Sequence, residues 1–374
     1  MTASTVKTKI IFCLPSLAGG GAERIVIQYM NALDTSRYDV TLCAVLEDGP
    51  LRPLVAADIP VTILGSWRIS TCMPRLWWHL RQHHADIVVS TVTHMNFAAL
   101  VCGLFLPRVR FIAREAIVPS FFFHKYPRFK LPLTCVFRFL YPRADILLSP
   151  SREIIDEFRT VLNLDTANCR LLYNPVDTAV VSELKKQNVL PSPSAATPRK
   201  MHFVCSGRLE PQKAFDRLLD MLGTLDVPYD WDLTMLGDGG QKEMLSALIQ
   251  KYGLEDKVHM AGWHINPYAF YARADFFLIS SRYEGMPNVA LESLACGTPI
   301  LSIRHNGGIN DIAAKAGAGA VRLFDTMDDF AAHLRVLSLP PETVADKPSL
   351  LPPDFDKPRI MAQFQNMVRE VSAN

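Results

Sequence analysis

SSRYEGMPNVALESLACGTP, residues 280–299, is the stretch whose reading decides the fold. The run that enters it, DFFLIS at 275–280, is short and almost wholly apolar, which reads as a buried strand. Pro287 suits the first position of a helix, where a missing N–H costs no hydrogen bond. The next apolar run, at 299–303, reads as a second strand. A strand, a loop, a helix and a strand in that order make a unit of a parallel sheet.

The same alternation runs outward in both directions. Ahead of it, strands are expected at 9–14, 39–45, 60–64, 86–90, 109–113, 144–149 and 169–173, with helices at 22–33, 73–84, 95–105, 129–141 and 151–161. KKQNVLPSPSAATPRK, 185–200, is rich in Pro, Ser and Ala and reads as a linker. Beyond it strands are expected near 201–206, 232–236, 257–260, 275–280, 299–303 and 320–323. The fold class is therefore α/β, with two Rossmann-like domains, 1–184 and 201–358, whose parallel sheets face across a cleft. RIMAQFQNMVREV, 359–371, is an amphipathic helix carrying Ile360, Phe364, Met367 and Val371 on one side. With no core partner near it in sequence, the segment 359–374 is expected to pack back on the first domain.

Composition narrows the function classes. The chain has 374 residues, about half apolar and a fifth charged, enough for two buried cores. A formal charge of +2 gives no argument for nucleic acid as a partner. The eight cysteines are scattered without a CxxC pair, mostly inside apolar runs, and read as reduced core residues of a cytoplasmic protein. KTKIIFCLPSLAGG, 7–20, imitates a signal peptide, but apolar residues at helical spacing follow at once (Ile25, Ile27, Met30, Leu33), so a strand and glycine turn are expected instead. The longest apolar run, 97–107, is too short to span a bilayer.

Chemistry is expected in the loops after strands, because ligands of open α/β sheets bind beyond the strands' carboxyl ends. GRLEPQK, 207–213, puts Arg208 and Lys213 in such a loop, beside a helix start whose N–H groups favour an anion. A guanidinium and an ammonium there suit a diphosphate. LAGGGAER, 17–24, is a second glycine turn, lacking the third glycine of a dinucleotide fingerprint. Glu284 falls in the loop after the 275–280 strand and Glu292 inside the helix that follows. As carboxylates they offer only acceptors, which pairs of sugar or ribose hydroxyls would satisfy; capping or salt bridging is the plainer reading of either one alone.

These pieces together resemble the retaining glycosyltransferases of family 4, which have the GT-B fold and an E-x7-E signature. The resemblance covers nearly the whole chain: GGGAER, NPVD at 174–177, GRLEPQK, LGDGGQKEML at 236–245, AGW, and YARADFFLISSRYEG. It departs at HNGGINDI, 305–312, where Asp311 holds the place of the family's glutamate. The resemblance implies that Glu284 binds the donor sugar's hydroxyls and Glu292 the ribose. Arg208 and Lys213 would neutralise the leaving diphosphate, with Gly20 and Gly21 closing on it. Gly285, Met286, Asn288 and Val289 would line the donor site, and backbone around Gly262 and Trp263 would read the base. His94 stands where the family places a histidine against the donor sugar. Arg114 and Glu115 are expected at the acceptor or sugar, or else as an internal ion pair. Reaction with retention, by front-face attack and without a protein nucleophile, is what the family implies. No cofactor or metal is expected if cations and helix dipoles carry the phosphate charge. Asp230-Trp231-Asp232 imitates a DxD metal motif, but it precedes its strand and so lies at the wrong end of the sheet.

Between 107 and 143 eight basic residues face one acid, with nine Phe and Tyr interleaved. Such a surface suits anionic headgroups and the acyl boundary. The expectation is an enzyme on the inner face of the cytoplasmic membrane. It would move a hexosyl or N-acetylhexosaminyl unit from a nucleotide diphosphate sugar, UDP-linked, to a lipid-linked or polysaccharide acceptor. A nucleotide-sugar 2-epimerase or a non-catalytic sugar-nucleotide-binding module are the alternatives.

Overall fold

The computed structural model describes residues 7–187, 199–339 and 346–373. The chain divides into two units, Met1–Pro175 with Pro358–Asn374, and Val176–Lys357.

In the first unit seven parallel strands form one sheet: β1 (Thr8–Leu14), β2 (Tyr38–Ala44), β3 (Val61–Ile63), β4 (Ile87–Thr91), β5 (Arg110–Arg114), β6 (Ile146–Ser149) and β7 (Cys169–Leu171). Their order is β3-β2-β1-β4-β5-β6-β7. β1 is sealed on both faces, with Ile10, Phe12, Cys13 and Leu14 wholly buried, as helices on either side of a parallel sheet require. The chain steps from β1 outward to β2, then back to β4 on β1's other edge. This reversal opens a crevice at the carboxyl ends of β1 and β4.

The second unit repeats the device with β8 (Met201–Ser206), β9 (Trp231–Leu236), β10 (Val258–Gly262), β11 (Phe276–Ile279), β12 (Ile300–Ile303) and β13 (Val321–Phe324), ordered β10-β9-β8-β11-β12-β13. Its core gathers Met201, Phe203, Cys205, Leu218, Leu222, Trp231, Leu233 and Phe330. Here the order reverses between β8 and β11, the strands that lead into GRLEPQK and SRYEG.

Several boundaries differ from the sequence reading. The helix Thr178–Leu184 belongs to the second unit, not the first. Asp177 caps it, accepting from the Val180 N–H at 3.2 Å and from Lys357 Nζ at 2.8 Å. The segment read as a linker, 185–200, falls mainly outside the described residues. Its described ends are tied into the second unit: Lys185 Nζ donates to the Lys347 carbonyl at 2.6 Å, and Arg199 pairs with Asp275 at 2.7 Å. Pro287 is the cap of the helix Asn288–Cys296 rather than its first residue, a shift within the fraying range of helix ends. A short helix, Ser120–Lys125, had no sequence expectation.

The closing helix, Lys357–Ala373, lies in the first unit from Pro358 onward. Phe364 is wholly buried and stacks on Tyr29 at 4.8 Å between ring centroids. Its buried face is Ile360, Met361, Phe364, Val368 and Val371, so Met361 and Val368 take the place expected for Met367. The cysteines are all free; Cys135 is exposed and Cys169 half-buried, the others buried.

Candidate active site

In the second unit the two loops that flank the strand-order reversal meet through side chains. Gly207 follows β8 with φ +155°, and a Cβ there would stand 2.7 Å from Lys213 Cε, so glycine leaves the lysine its course. Lys213 Nζ donates to Glu284 Oε1 at 2.6 Å. Ser281 Oγ donates to the same oxygen at 2.7 Å, and Gln212 Nε2 reaches Oε2 at 3.2 Å and the Tyr283 carbonyl at 3.1 Å.

Two further devices hold this carboxylate in place. Arg217, on the helix Phe215–Gly223, donates through Nε to the Ser280 carbonyl at 2.8 Å and through Nη2 to the Ser281 carbonyl at 2.7 Å. Residues 305–308 close the other side: the Glu284 N–H donates to the Asn306 carbonyl at 2.9 Å and the Gly308 N–H to the Gly285 carbonyl at 2.7 Å. Gly307 has φ +122°, and a Cβ there would fall 1.9 Å from the Glu284 carbonyl oxygen, so no other residue fits. Glu284 is 6% exposed. Burial alone would push its pKa up, but the Lys213 ammonium, then His305 and the hydrogen bonds from Lys213 and Ser281, outweigh it and hold the carboxyl below its ordinary value.

Arg208 is exposed, and its charge reaches Tyr283, where burial raises the phenol's pKa and the guanidinium works against the rise. Glu292 is 7% exposed on the helix Asn288–Cys296, and its charge adds to the burial that raises the Tyr271 hydroxyl's pKa. The first turn of that helix holds Asn288 and Val289, with no side-chain cap and no acid. Gly285 and Met286 are buried in the loop before it, under Gly308. Gly262 closes β10 and its carbonyl accepts from the Gly237 N–H at 2.7 Å, while Trp263 stands exposed beside it.

In the first unit Gly20 caps the helix Gly21–Asn31, which follows β1. His94 is exposed in the first turn of the helix Thr93–Gly103, after β4. Val92, just before it, has φ +63°, an outlier for a β-branched residue and the kind of strain that clusters at functional sites. Its neighbour Thr93 donates to Glu115 Oε1 at 2.8 Å.

The internal ion pair read for Arg114 and Glu115 is not formed: each is 2% exposed and bonded to other partners. Arg114 donates to Thr91 and Asn174, tying the ends of β4 and β5 to the NPVD segment. Glu115 takes Thr93, the Ala116 N–H and the Tyr141 hydroxyl. Burial raises its pKa against those bonds. Asp230 pairs with Lys200 at 3.0 Å and Asp232 with His202 at 2.8 Å, at the start of β9 and away from Glu284. Among the described residues no cluster of three or more His, Cys, Asp or Glu could hold a metal ion.

Gln212, Ser281, Arg217 and His305 were missed in the sequence. The first two lie inside the quoted motifs and could have been found there. His305 opens the quoted HNGGINDI, and Arg217 lies outside every motif; what either does depends on which loops the sheet brings together.

In the second unit a lysine-bound carboxylate thus stands at the strand-order reversal, where open α/β sheets bind their ligands. Residues 19–180 match the family described as "Glycosyltransferase Family 4" and residues 188–346 that described as "Glycosyl transferases group 1". The chain belongs to the family 4-type GT-B glycosyltransferases. A relative from Campylobacter jejuni, N-acetylgalactosamine-N,N'-diacetylbacillosaminyl-diphospho-undecaprenol 4-alpha-N-acetylgalactosaminyltransferase, is 29% identical over 79% of this chain and 81% of its own. Anabaena HepE in complex with UDP-glucose shares the fold at TM-score 0.75 and 18% identity, over 97% of this chain and 99% of its own. So does the lipopolysaccharide outer core galactosyltransferase WaaB, at TM-score 0.67 and 20% identity over 97% and 99%.

Proposed function

We propose that this glycosyltransferase moves a hexosyl or N-acetylhexosaminyl unit from a UDP-sugar, with retention, to a lipid-linked glycan or polysaccharide. The observation that carries the reading is the buried Glu284 held by Lys213, whose loop also carries the exposed Arg208. The carboxylate accepts hydroxyls of the sugar near the reacting carbon, and the two cations take the diphosphate. As the bond from the anomeric carbon to the phosphate oxygen breaks, charge grows on that oxygen, and cations placed in advance stabilise it more than they do the bound donor. The acceptor oxygen bonds the same face of the carbon and its proton passes to the leaving phosphate oxygen. Arg208 and Lys213 fill the place of a metal in this scheme. Glu292 accepts ribose hydroxyls, and the first turn at Asn288 and Val289 faces phosphate. UDP is favoured because HepE is seen with UDP-glucose.

The donor reading is tested by thermal shift with UDP-, GDP- and ADP-sugars. A donor at one hundred times its Kd stabilises by about 2.7 kcal/mol, so a UDP-sugar is expected to raise the midpoint by roughly 5 °C or more. No response to any UDP-sugar, or a response to GDP- or ADP-sugars alone, overturns it.

The acceptor side is supported by the surface of residues 120–143. Phe123, Phe137 and Tyr141 turn inward, contrary to a uniformly aromatic face. Phe129, Leu131 and Phe139 stay more than half exposed, with Lys125, Arg128, Lys130, Arg138 and Arg143 exposed around them. Arg143 lies over the Phe139 ring at 3.8 Å. Apolar residues ringed by cations suit an anionic lipid surface, with the enzyme at the inner face of the cytoplasmic membrane. Among the described residues no helix is long and apolar enough to cross a membrane. Flotation with phosphatidylglycerol liposomes at low salt is expected to carry the protein up, and Phe129→Asp with Leu131→Asp to abolish this. Failure of the unmodified protein to float sinks the membrane reading.

A further inference from the structure

One buried polar atom of the site has no partner. His305 follows β12 and is 5% exposed. Its Nδ1 lies 3.1 Å from the Asn306 carbonyl, an acceptor, which places the proton on Nδ1 and leaves Nε2 a bare lone pair. Nε2 is buried with no hydrogen-bond partner. Orphans of this kind are rare and costly in a folded protein, and each calls for a reason.

The charges around the ring supply one. Glu284 reaches it from the loop after β11, Lys213 from the loop after β8, and Arg217 from the helix Phe215–Gly223. On its own segment, Arg304 is turned away to Asp325 and Asn310, and Asp311 is buried in the first turn of the helix Ile309–Lys315. Asn306 and Gly307 lock this segment to the Glu284 backbone, so the ring cannot drift from the carboxylate. While Lys213 holds Glu284, a proton on Nε2 would add a third cation to a buried group that contains one carboxylate.

We propose that His305 is a positioning residue that takes a proton onto Nε2 from solvent when Lys213 is drawn to the donor's diphosphate, so that an imidazolium replaces the ammonium as the counter-charge of Glu284. The inference rests on the roles proposed above for Lys213 and Glu284. It explains the orphan: Nε2 is kept unpaired because it is a proton site in reserve. The Nδ1 hydrogen stays on the Asn306 carbonyl throughout. The result is a carboxylate that remains ionised, and so able to accept sugar hydroxyls, after its lysine has left. Burial now holds the imidazole below its ordinary value; Glu284 works against that, and Lys213 and Arg217 reinforce it. Loss of the lysine's charge therefore moves the balance toward protonation.

The test needs no donor. The His305 ring is followed by NMR across pH in the unmodified protein and in Lys213→Met and Glu284→Gln. His305→Asn, whose amide still donates to the Asn306 carbonyl, assigns the signal. In Lys213→Met the titration midpoint of His305 is expected to rise by about one pH unit, and in Glu284→Gln to fall. A midpoint that stays put in both variants, or moves the other way, overturns the proposal. Should Lys213→Met fail to fold, the Glu284→Gln arm decides alone. A thermal-shift failure with UDP-sugars would instead strike the donor reading, so the two are told apart.

Discussion

Glu284→Ala is expected to lower kcat by a factor of about 100 to 1,000 while the protein still binds UDP. The side chain is held by three donors from two loops, at 6% exposure, so its oxygens are already fixed where a sugar would meet them. A preorganised acceptor near the reacting carbon acts mainly on the transition state, where hydroxyl protons grow more acidic as the ring gains positive charge. Its loss should therefore appear in kcat more than in KM. Nucleotide affinity should hold or improve, because Lys213 loses the carboxylate that now occupies it. Steady-state kinetics with the donor found by thermal shift, and calorimetry with UDP, measure the two separately. Unchanged turnover refutes the role; parallel loss of turnover and UDP binding would make Glu284 a structural support for the nucleotide site instead.

The sheets were legible because parallel strands buried on both faces must be apolar runs, and Gly, Pro and Asp breaks separate them. β8 and β11 were placed this way, and the rule that ligands sit beyond strand ends then marked Arg208, Lys213 and Glu284. What the sequence could not show is that Lys213 and Glu284, 71 residues apart, bind one another. The separate roles that the motifs imply belong to a pair that must part before both can be filled. His305 escaped for a related reason: the only signal in its segment was the acid at Asp311, and an imidazole's worth depends on neighbours from other loops. For Arg114 and Glu115 strand geometry itself argues against an ion pair. Successive side chains at a strand's end point to opposite faces, so adjacent residues there are poor candidates for an ion pair. The basic, aromatic stretch shows the limit of composition. Phe137 is wholly buried and Phe139 is 52% exposed, a split set by which side of the helix Lys130–Leu140 faces the core.

Lys213→Met should cost both activity and stability, and the pH dependence of the second effect identifies its cause. The ammonium is 15% exposed and its carboxylate 8%, so the pair is shielded from water. Removing one partner of a buried pair leaves the other charge uncompensated, a loss of about 3 to 5 kcal/mol. Ser281 and Gln212 still donate to Glu284, which places the expectation near the lower end. Glu284 has a folded-state pKa below its ordinary value of 4.5, so its stabilising contribution is present above that value and lost as pH falls through the folded pKa. The variant lacks the largest of the influences that lower it. The stability gap between the two proteins should therefore be full at pH 7 and close on acidification below about 4.5. Because the chain has two units, a single unfolding midpoint would blur the effect; hydrogen exchange at β8 and β11 reads the second unit by itself. Lys213→Met with Glu284→Gln removes both charges and should regain most of the lost protection, while transfer stays at least about 100-fold down. A gap that is the same at pH 7 and pH 4 would mean that Lys213 contributes through packing of its methylene chain, and the electrostatic account of the pair would fall.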